Sequence, residues 1–407
     1  MKHAEWKTVP IKEVYKDLYD GPHATPKPSD TGPVFLGIKN VTDDGRLDLS
    51  DIRHIAEEDF VRWTRRVEPR PDDLVFTYEA TLNRYAIIPI GFRGCLGRRM
   101  ALIRPDTSKL DVRFLLYYFL TSEWRAVVAN KMISGSTVDR IPLITFPDFP
   151  VRVPPLPVQR RISGILSVYD ELMENSQRRI RVLETMARAL YREWFIYFRF
   201  PGHEKLPRVA SPVGDIPKGW KVKPIHNFGK VITGKTPSKA NAGFYGNDVP
   251  FVKTPDMHGK MFVLGTSDWL SAAGAESQAN KTLPAGSICV SCIGTIGVVS
   301  ITTEDCQTNQ QINSLVLENE ASCEFLFLQL QDAKQILENL GANGATMGNV
   351  NKGKFEAMEI VSPPPSLLTE FHRLAQPMFS EILTLSRQIQ HLRRTRELLL
   401  PRLLSGG

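Results

Sequence analysis

At 407 residues the chain is two to three times the usual single-domain length, so more than one hydrophobic core is expected. A composition of 42% hydrophobic and 23% charged residues excludes a disordered chain, and no uninterrupted apolar run approaches the roughly 20 residues that cross a bilayer. A net charge of +7 suits a polyanionic partner without requiring one. Five scattered cysteines argue against a disulfide framework, and Met1 to Pro10 lacks the apolar segment of a signal peptide, so a cytoplasmic protein is expected.

The first 152 residues mix short β-rich runs, such as Leu74 to Tyr78 and Tyr85 to Ile90, with Gly, Pro and Asp turns, which predicts a compact mixed domain over 1–152. Val153-Pro154-Pro155-Leu156-Pro157 then opens a long helical segment over 153–200, because proline is tolerated at a helix start and not inside it. There Ile162, Leu166, Tyr169, Met173, Ser176, Ile180, Leu183, Ala187, Leu190 and Trp194 alternate in steps of four and three. After a linker over 201–217 the pattern restarts. Trp6-Lys7 recurs as Trp220-Lys221, Thr25-Pro26 as Thr236-Pro237, Thr137 as Thr346, and Pro154-Pro155 as Pro363-Pro364. A period above 200 residues is far too long for a solenoid and marks a two-copy domain duplication. The second mixed domain covers 218–362, with β-rich runs at Ser287 to Ile293 and Val298 to Ile301, and a second long helix covers 363–407. Its heptad positions are Phe371, Ala375, Met378, Ile382, Leu385, Ile389, Leu392, Arg396, Leu399 and Leu403. Ser176 and Arg396 are the two polar members, and Pro377 predicts a kink.

The fold class is therefore α+β: two tandem mixed α/β domains separated by two long helices, duplicated about a pseudo-two-fold. A sustained 3.5-residue period is a coiled-coil seam, and two copies of one surface related by a two-fold pack antiparallel. The alternative is two amphipathic helices, each packed on its own domain.

Several motifs invite chemistry that their context denies. Gly229 to Thr236 spells the phosphate-loop pattern, but lysines and Pro224 break the preceding run and Pro237 follows at once, where a helix should open. Cys289 and Cys292 have no second cysteine pair to complete a zinc site. Ser362-Pro363-Pro364 resembles the start of an amino-methyltransferase motif, yet Pro365 stands where an aromatic should stack on a flipped base. Pro71-Asp72 with Glu79-Ala80-Thr81 lacks the lysine of a metal-dependent nuclease, and the eight histidines form no HxxxH pair. No catalytic residue, metal site or cofactor site is expected in this chain.

Phosphate clamping needs clustered cations, and base reading needs Arg, Lys, Asn or Gln at groove edges. The first domain offers Arg62, Arg65 and Arg66 around Trp63, with Arg93, Arg98 and Arg99 after a Gly-rich turn. The second offers Lys235, Lys239, Lys253 and Lys260, then amide-rich runs at Gln307 to Asn313 and Asn343 to Asn351, with Gln310 and Asn349 as the candidates within them. The end of the first helix is apolar on nearly every side, through Trp194, Phe195 and Tyr197. With Leu399 and Leu403 it is the candidate partner-docking region, since such a helix must be covered all round.

These stretches resemble the specificity subunits of type I restriction-modification enzymes over nearly the whole chain. The resemblance rests on Asp20-Gly21-Pro22-His23-Ala24-Thr25-Pro26, Thr233-Gly234-Lys235-Thr236-Pro237-Ser238, Val153 to Ile162, and Leu400-Pro401-Arg402-Leu403-Leu404-Ser405-Gly406, in that duplicated arrangement. The second copy departs at Pro365-Ser366-Leu367-Leu368, where the first has Leu156-Pro157-Val158-Gln159. The resemblance implies two target-recognition domains, each reading half of a split site in double-stranded DNA, held apart by an antiparallel helix pair. It also implies two methylating subunits using S-adenosylmethionine and restriction subunits using ATP and magnesium. The alternatives are a DNA-independent coiled-coil adaptor and a self-contained DNA methyltransferase; the missing motifs speak against the latter.

Overall fold

β-branched and aromatic runs interrupted by Gly, Pro and Asp turns fold into short strands, and the two copies do so with the same wiring. The computed structural model describes residues 6–135, 138–342 and 348–404. Thr137 and Thr346 of the repeat, Asn343 of the amide-rich run and the terminal Ser405-Gly406 lie outside the described residues. The chain divides into one unit of Met1–Met173 with His391–Gly407 and a second of Glu174–Gln390.

In the first unit, β1 (Lys7–Pro10) precedes β2 (Tyr15–Asp20), β3 (Ser29–Leu36), β4 (Arg53–His54) and the helical turn α1 (Phe60–Trp63). Then come β5 (Leu74–Thr77), β6 (Tyr85–Ile87), β7 (Gly94–Leu96), β8 (Met100–Pro105), α2 (Val112–Phe119), α3 (Ser122–Lys131) and β9 (Pro150–Val153). An antiparallel sheet runs β2-β8-β5-β6, a smaller one β4-β3-β7, and β1 pairs with β9. Leu74 and Phe76 join Tyr85, Phe114, Phe119, Trp124 and Phe146 in one core, while Val75 joins Leu36, Leu96 and Leu102 in another. Both faces of the sheet are thus buried. This is why Leu74-Val75-Phe76 reads as a continuous apolar run and not as an alternation. Asp111 and Thr121 cap α2 and α3, their side chains accepting from Phe114 N and Trp124 N.

The long helix α4 (Leu156–Tyr191) follows and ends in a π-helical turn at Arg192–Ile196. Buried Gln159 stitches its start to the unit: its amide donates to Pro154 O at 2.9 Å and Lys109 O at 3.0 Å, and its oxygen accepts from Asp111 N at 2.9 Å.

The second unit opens with the hairpin β10 (Arg208–Val209) and β11 (Ile216–Pro217), then β12 (Lys221–Pro224), β13 (Gly229–Thr233) and β14 (Tyr245–Val252). Next are α5 (Thr254–Met257), β15 (Phe262–Val263), β16 (Asp268–Leu270), α6 (Ala272–Glu276), β17 (Ile288–Ser291), β18 (Val299–Thr302), β19 (Gln307–Thr308) and β20 (Ile312–Leu317). The helices α7 (Cys323–Asp332), α8 (Lys334–Gly341) and α9 (Lys352–Glu356), strand β21 (Glu359–Ser362) and α10 (Pro365–Leu404) complete it. Its sheets run β13-β20-β17-β18-β15 and β16-β14-β19, with β12 on β21. Apart from the added edge strand β15 and the small hairpin, this repeats the first unit strand for strand, including the parallel pairs β3 with β7 and β14 with β19.

None of the twenty heptad positions is exposed, so the periodicity of the sequence is the buried stripe of both helices. Within the second unit Arg179 Nη2 meets Glu381 Oε1 at 2.5 Å and Trp194 packs on Phe371 with ring centroids 5.7 Å apart. Rising numbers on α4 meet falling numbers on α10: the helices are antiparallel. The same sense holds within the first unit, where Arg396 meets Asp170 at 2.5 Å and Leu404 shares a core with Ile162 and Leu166. Helix α10 begins at Pro365, a position that suits proline, and stays helical through Pro377. Pro377 and Arg373 are both exposed, so the carbonyl that loses its donor faces water.

Candidate nucleic-acid interface

In the antiparallel sheet of the first unit, the ends of β2 and β5 and the starts of β8 and β6 lie together. Asp20 pairs with Ala101, Thr77 with Met100, and Phe76 with Tyr85. The chain leaves β2 there through Gly21, whose N–H donates to Met100 O at 2.7 Å. A Cβ on Gly21 would stand 2.3 Å from Gly97 O, so no other residue fits this joint. The second unit builds the same joint with Gly234: its N–H donates to Ile312 O at 3.1 Å, and a Cβ would stand 2.1 Å from Asn309 O. The Asp20-Gly21 and Thr233-Gly234 stretches are one structural device used twice.

This sheet end gathers cations in the first unit, and cations and amides in the second. In the first, Asp20 accepts from Arg66 Nη1 at 2.5 Å and lies 2.9 Å from His23 Nε2. Arg99, at φ +70°, has its Nε 2.9 Å from Glu79 Oε1. Arg98 is exposed and has no hydrogen-bond or carboxylate partner among the described residues. Arg62 on α1 and Arg65 just after it are exposed, also without such partners, while Arg66, in the same bend, ties the segment to Asp20. Trp63 faces inward against Phe35, at 6.3 Å and near-perpendicular, with Ile55 and Cys95, so its ring anchors α1. Arg93 forms a two-pronged pair with Glu57 and lies 4.4 Å over the Phe60 ring. That bond pulls the Glu57 carboxyl below its usual range.

In the second unit Thr236 Oγ1 donates to Gln310 Oε1 at 2.5 Å, and Thr233 Oγ1 donates to Asn313 Oδ1 at 2.6 Å. Asn349 is exposed beside the turn after β17, bridged to Ile293. Lys235 and Lys239 are exposed, and Gln278 holds the loop by donating to Lys235 O at 2.8 Å. Lys253 pairs with Asp268 and holds that carboxyl low; the more distant Lys239 adds to the effect. Lys260 is exposed beside the outer strands, its carbonyl accepting from Ser300 Oγ at 2.6 Å. The opposite end of the same sheet carries exposed Glu304 and Asp305 after β18, then Glu318 and Glu320 after β20. Phosphates would be repelled there. The repeated Thr-Pro pair is the sequence signal for Thr236; His23 and Thr233 stand inside the duplicated stretches with no signal of their own.

The docking candidates separate. Trp194 and Phe195 are each 5% exposed, inside the second unit's own core against Phe325 and Phe371. Tyr197 and its neighbour Ile196 are both 42% exposed, with the Arg199 guanidinium 4.9 Å from the Tyr197 ring. Leu399 and Leu403 are half-buried against the first unit's core.

The declined motifs are ordinary structure. Gly229–Thr233 is strand β13, paired with β20, where a phosphate loop would turn. Cys289 and Cys292, three apart on one extended segment, enter different cores and cannot share a metal. Among the described residues no group of three or more His, Cys, Asp and Glu could hold one.

Comparison with known proteins decides the family. The pattern of the type I restriction modification DNA specificity domain matches twice, over residues 30–185 and 217–367. The chain is a type I restriction-modification specificity subunit. It is 32% identical over 368 residues to the HindI specificity subunit of Haemophilus influenzae, covering 76% of this chain and 80% of that one. It is 26% identical over 297 residues to the MjaIX specificity subunit of Methanocaldococcus jannaschii, covering 72% and 68%. The crystal structure of a type I S subunit from M. genitalium shares the fold, with a TM-score of 0.61 at 11% identity over 99% of this chain and 97% of that one. A specificity subunit is the non-catalytic, sequence-recognising member of its complex, and type I specificity subunits work with methylating and restriction subunits on double-stranded DNA. No helix among the described residues is long and apolar enough to cross a membrane.

Proposed function

We propose that each lobe reads one half of a split DNA site with the sheet end built around its glycine joint. The recognition domains are 1–152 and 218–362, the helices 153–200 and 363–407, and the linker 201–217. Arg62, Arg65, Arg66, Arg93 and Arg99 in the first lobe, and Lys235, Lys239, Lys253 and Lys260 in the second, supply phosphate contacts. Trp63 holds the α1 arginines in place, and Arg98, Gln310 and Asn349 reach base edges. The observation that carries this reading is the polarity of the second lobe: cations and amides at one end of its sheet, and at the other four carboxylates that outnumber the exposed Lys230 beside them.

One methylating subunit docks per lobe. Tyr197 with Ile196 offers the surface at the end of the first helix around Trp194 and Phe195, and Leu399 with Leu403 offers the equivalent place on the second. S-adenosylmethionine, ATP and magnesium belong to the methylating and restriction subunits. The test is retention of duplex DNA by the complex with its methylating subunit across a salt series. Replacing Arg62 and Arg65 with alanine should flatten the log-log salt slope by about 0.9 for each phosphate left without its cation. It should leave the second half-site's preferences unchanged; an unaltered slope refutes the phosphate assignment.

A further inference from the structure

The two glycine joints place Arg98 and Gln310 at the same point of the duplicated fold. Gly21 is locked against the carbonyl of Gly97 and Gly234 against that of Asn309, and the next residue in each case is the one in question. Two residues later β8 and β20 begin, in the same sheet position. Both side chains are exposed, and both stand at the end of the sheet that carries cations and amides. Resting on the reading above, we propose that this is a base-reading position in each lobe, with Arg98 selecting guanine in one half-site and Gln310 selecting adenine in the other.

The chemistry follows from what each side chain presents. A guanidinium offers paired donors that match O6 and N7 of guanine in the major groove, and a carboxamide offers one acceptor and one donor that match N6 and N7 of adenine. Arg98 has no hydrogen-bond or carboxylate partner among the described residues, whereas Arg99 beside it is engaged by Glu79, so the fork that is free is that of Arg98. The Gln310 amide is oriented. Thr236 Oγ1 donates to its oxygen at 2.5 Å, which marks that atom as the acceptor, leaves it a second lone pair for the adenine N6 amine, and turns Nε2 outward as the donor to N7. Thr236 is thus a positioning residue for the adenine reader.

The experiment is selection of bound duplexes from a randomised library by the complex of the full chain with its methylating subunit, followed by sequencing. Gln310→Arg should convert one adenine of one half-site to guanine, Arg98→Gln should convert one guanine of the other half-site to adenine, and each should leave the partner half-site alone. Discrimination at the altered position should move about tenfold or more. Thr236→Val keeps the shape of the loop and should lower adenine enrichment at the Gln310 position only. Should an exchange fail to yield a binding complex, Arg98→Lys, which keeps the charge and removes the fork, and Thr236→Val carry the decision. An unchanged profile in the variants that bind, or a change in both half-sites from one substitution, overturns the assignment while leaving DNA recognition by the lobes intact. A parent complex that enriches no sequence at all would instead overturn the reading of the sheet ends themselves.

Discussion

Arg396 is the one charged residue on either heptad stripe, and its surroundings set what replacing it should do. It is 4% exposed, its Nη1 meets Asp170 Oδ1 at 2.5 Å, and Asp170 also accepts from the Tyr117 hydroxyl at 2.5 Å and lies 3.6 Å from Arg46 Nη2. At an effective dielectric near 20, unit charges centred about 4 Å apart attract by about 4 kcal/mol, most of which offsets the cost of taking both ions from water. Removing one partner exposes that cost. Asp170→Ala leaves a buried guanidinium uncompensated and should destabilise the first unit by about 3 kcal/mol. Arg396→Leu restores an apolar seam, and Asp170 keeps Tyr117 and Arg46, so this change should cost nearer 1 kcal/mol. The double substitution should be no worse than Asp170→Ala alone, a coupling of about 1–3 kcal/mol. Urea unfolding of the four chains, followed by near-ultraviolet circular dichroism, measures this cycle. Additivity within about 0.5 kcal/mol, or Arg396→Leu costing more than Asp170→Ala, would refute the argument.

The glycine joints are steric, so Gly21→Ala and Gly234→Ala should each cost about 2 kcal/mol or more, because a methyl group 2.1–2.3 Å from a backbone carbonyl must push the chain aside; thermal melts against a Gly164→Ala control, within helix α4 where a Cβ meets open space, give the comparison. Burial raises the Glu324 carboxyl above its ordinary range despite His372 Nδ1 at 2.7 Å. The folded chain therefore holds this proton more tightly than the unfolded one, and the contribution is lost as pH rises past about 4.5 toward the raised folded value. Glu324→Gln should accordingly show a smaller fall in melting temperature over that interval, and a larger fall would contradict the sign. Burial holds the thiols of Cys289 and Cys292 up at about 11 and those of Cys95 and Cys323 at about 12, so native protein at pH 8 should resist iodoacetamide until denaturant is added. Rapid labelling of Cys289 in native conditions would count against its placement.

The helices were legible because packing acts there through one periodic rule: every apolar heptad position named from sequence is buried or half-buried. Strand Leu74–Thr77 was legible for the related reason that a sheet covered on both faces needs an unbroken apolar run. Direction of burial was harder. Trp63 lies among Arg62, Arg65 and Arg66 in sequence and still turns inward, and Trp194 and Phe195 satisfy their own core where a π-helical turn follows Tyr191. Arg396 looked like a defect in the heptad because its partner, Asp170, is more than two hundred residues away. Arg98 and Gln310 share no letter, so alignment by identity could not join them; the carbonyl against each glycine does.

The division of the chain also orders its manufacture. The first unit is interrupted: Ile162 and Leu166 share a core with Leu404, and Leu399, Leu400 and Leu403 pack against that core. A ribosome that has released Met173 must add roughly two hundred further residues before this core can close, about 10–40 s at 5–20 residues per second. The second unit, contiguous from Glu174 to Gln390, is complete sooner. The half of the protein that is made first is therefore the half that is finished last, and a nascent chain cut short anywhere before His391 leaves its oldest residues waiting for a lid that never comes.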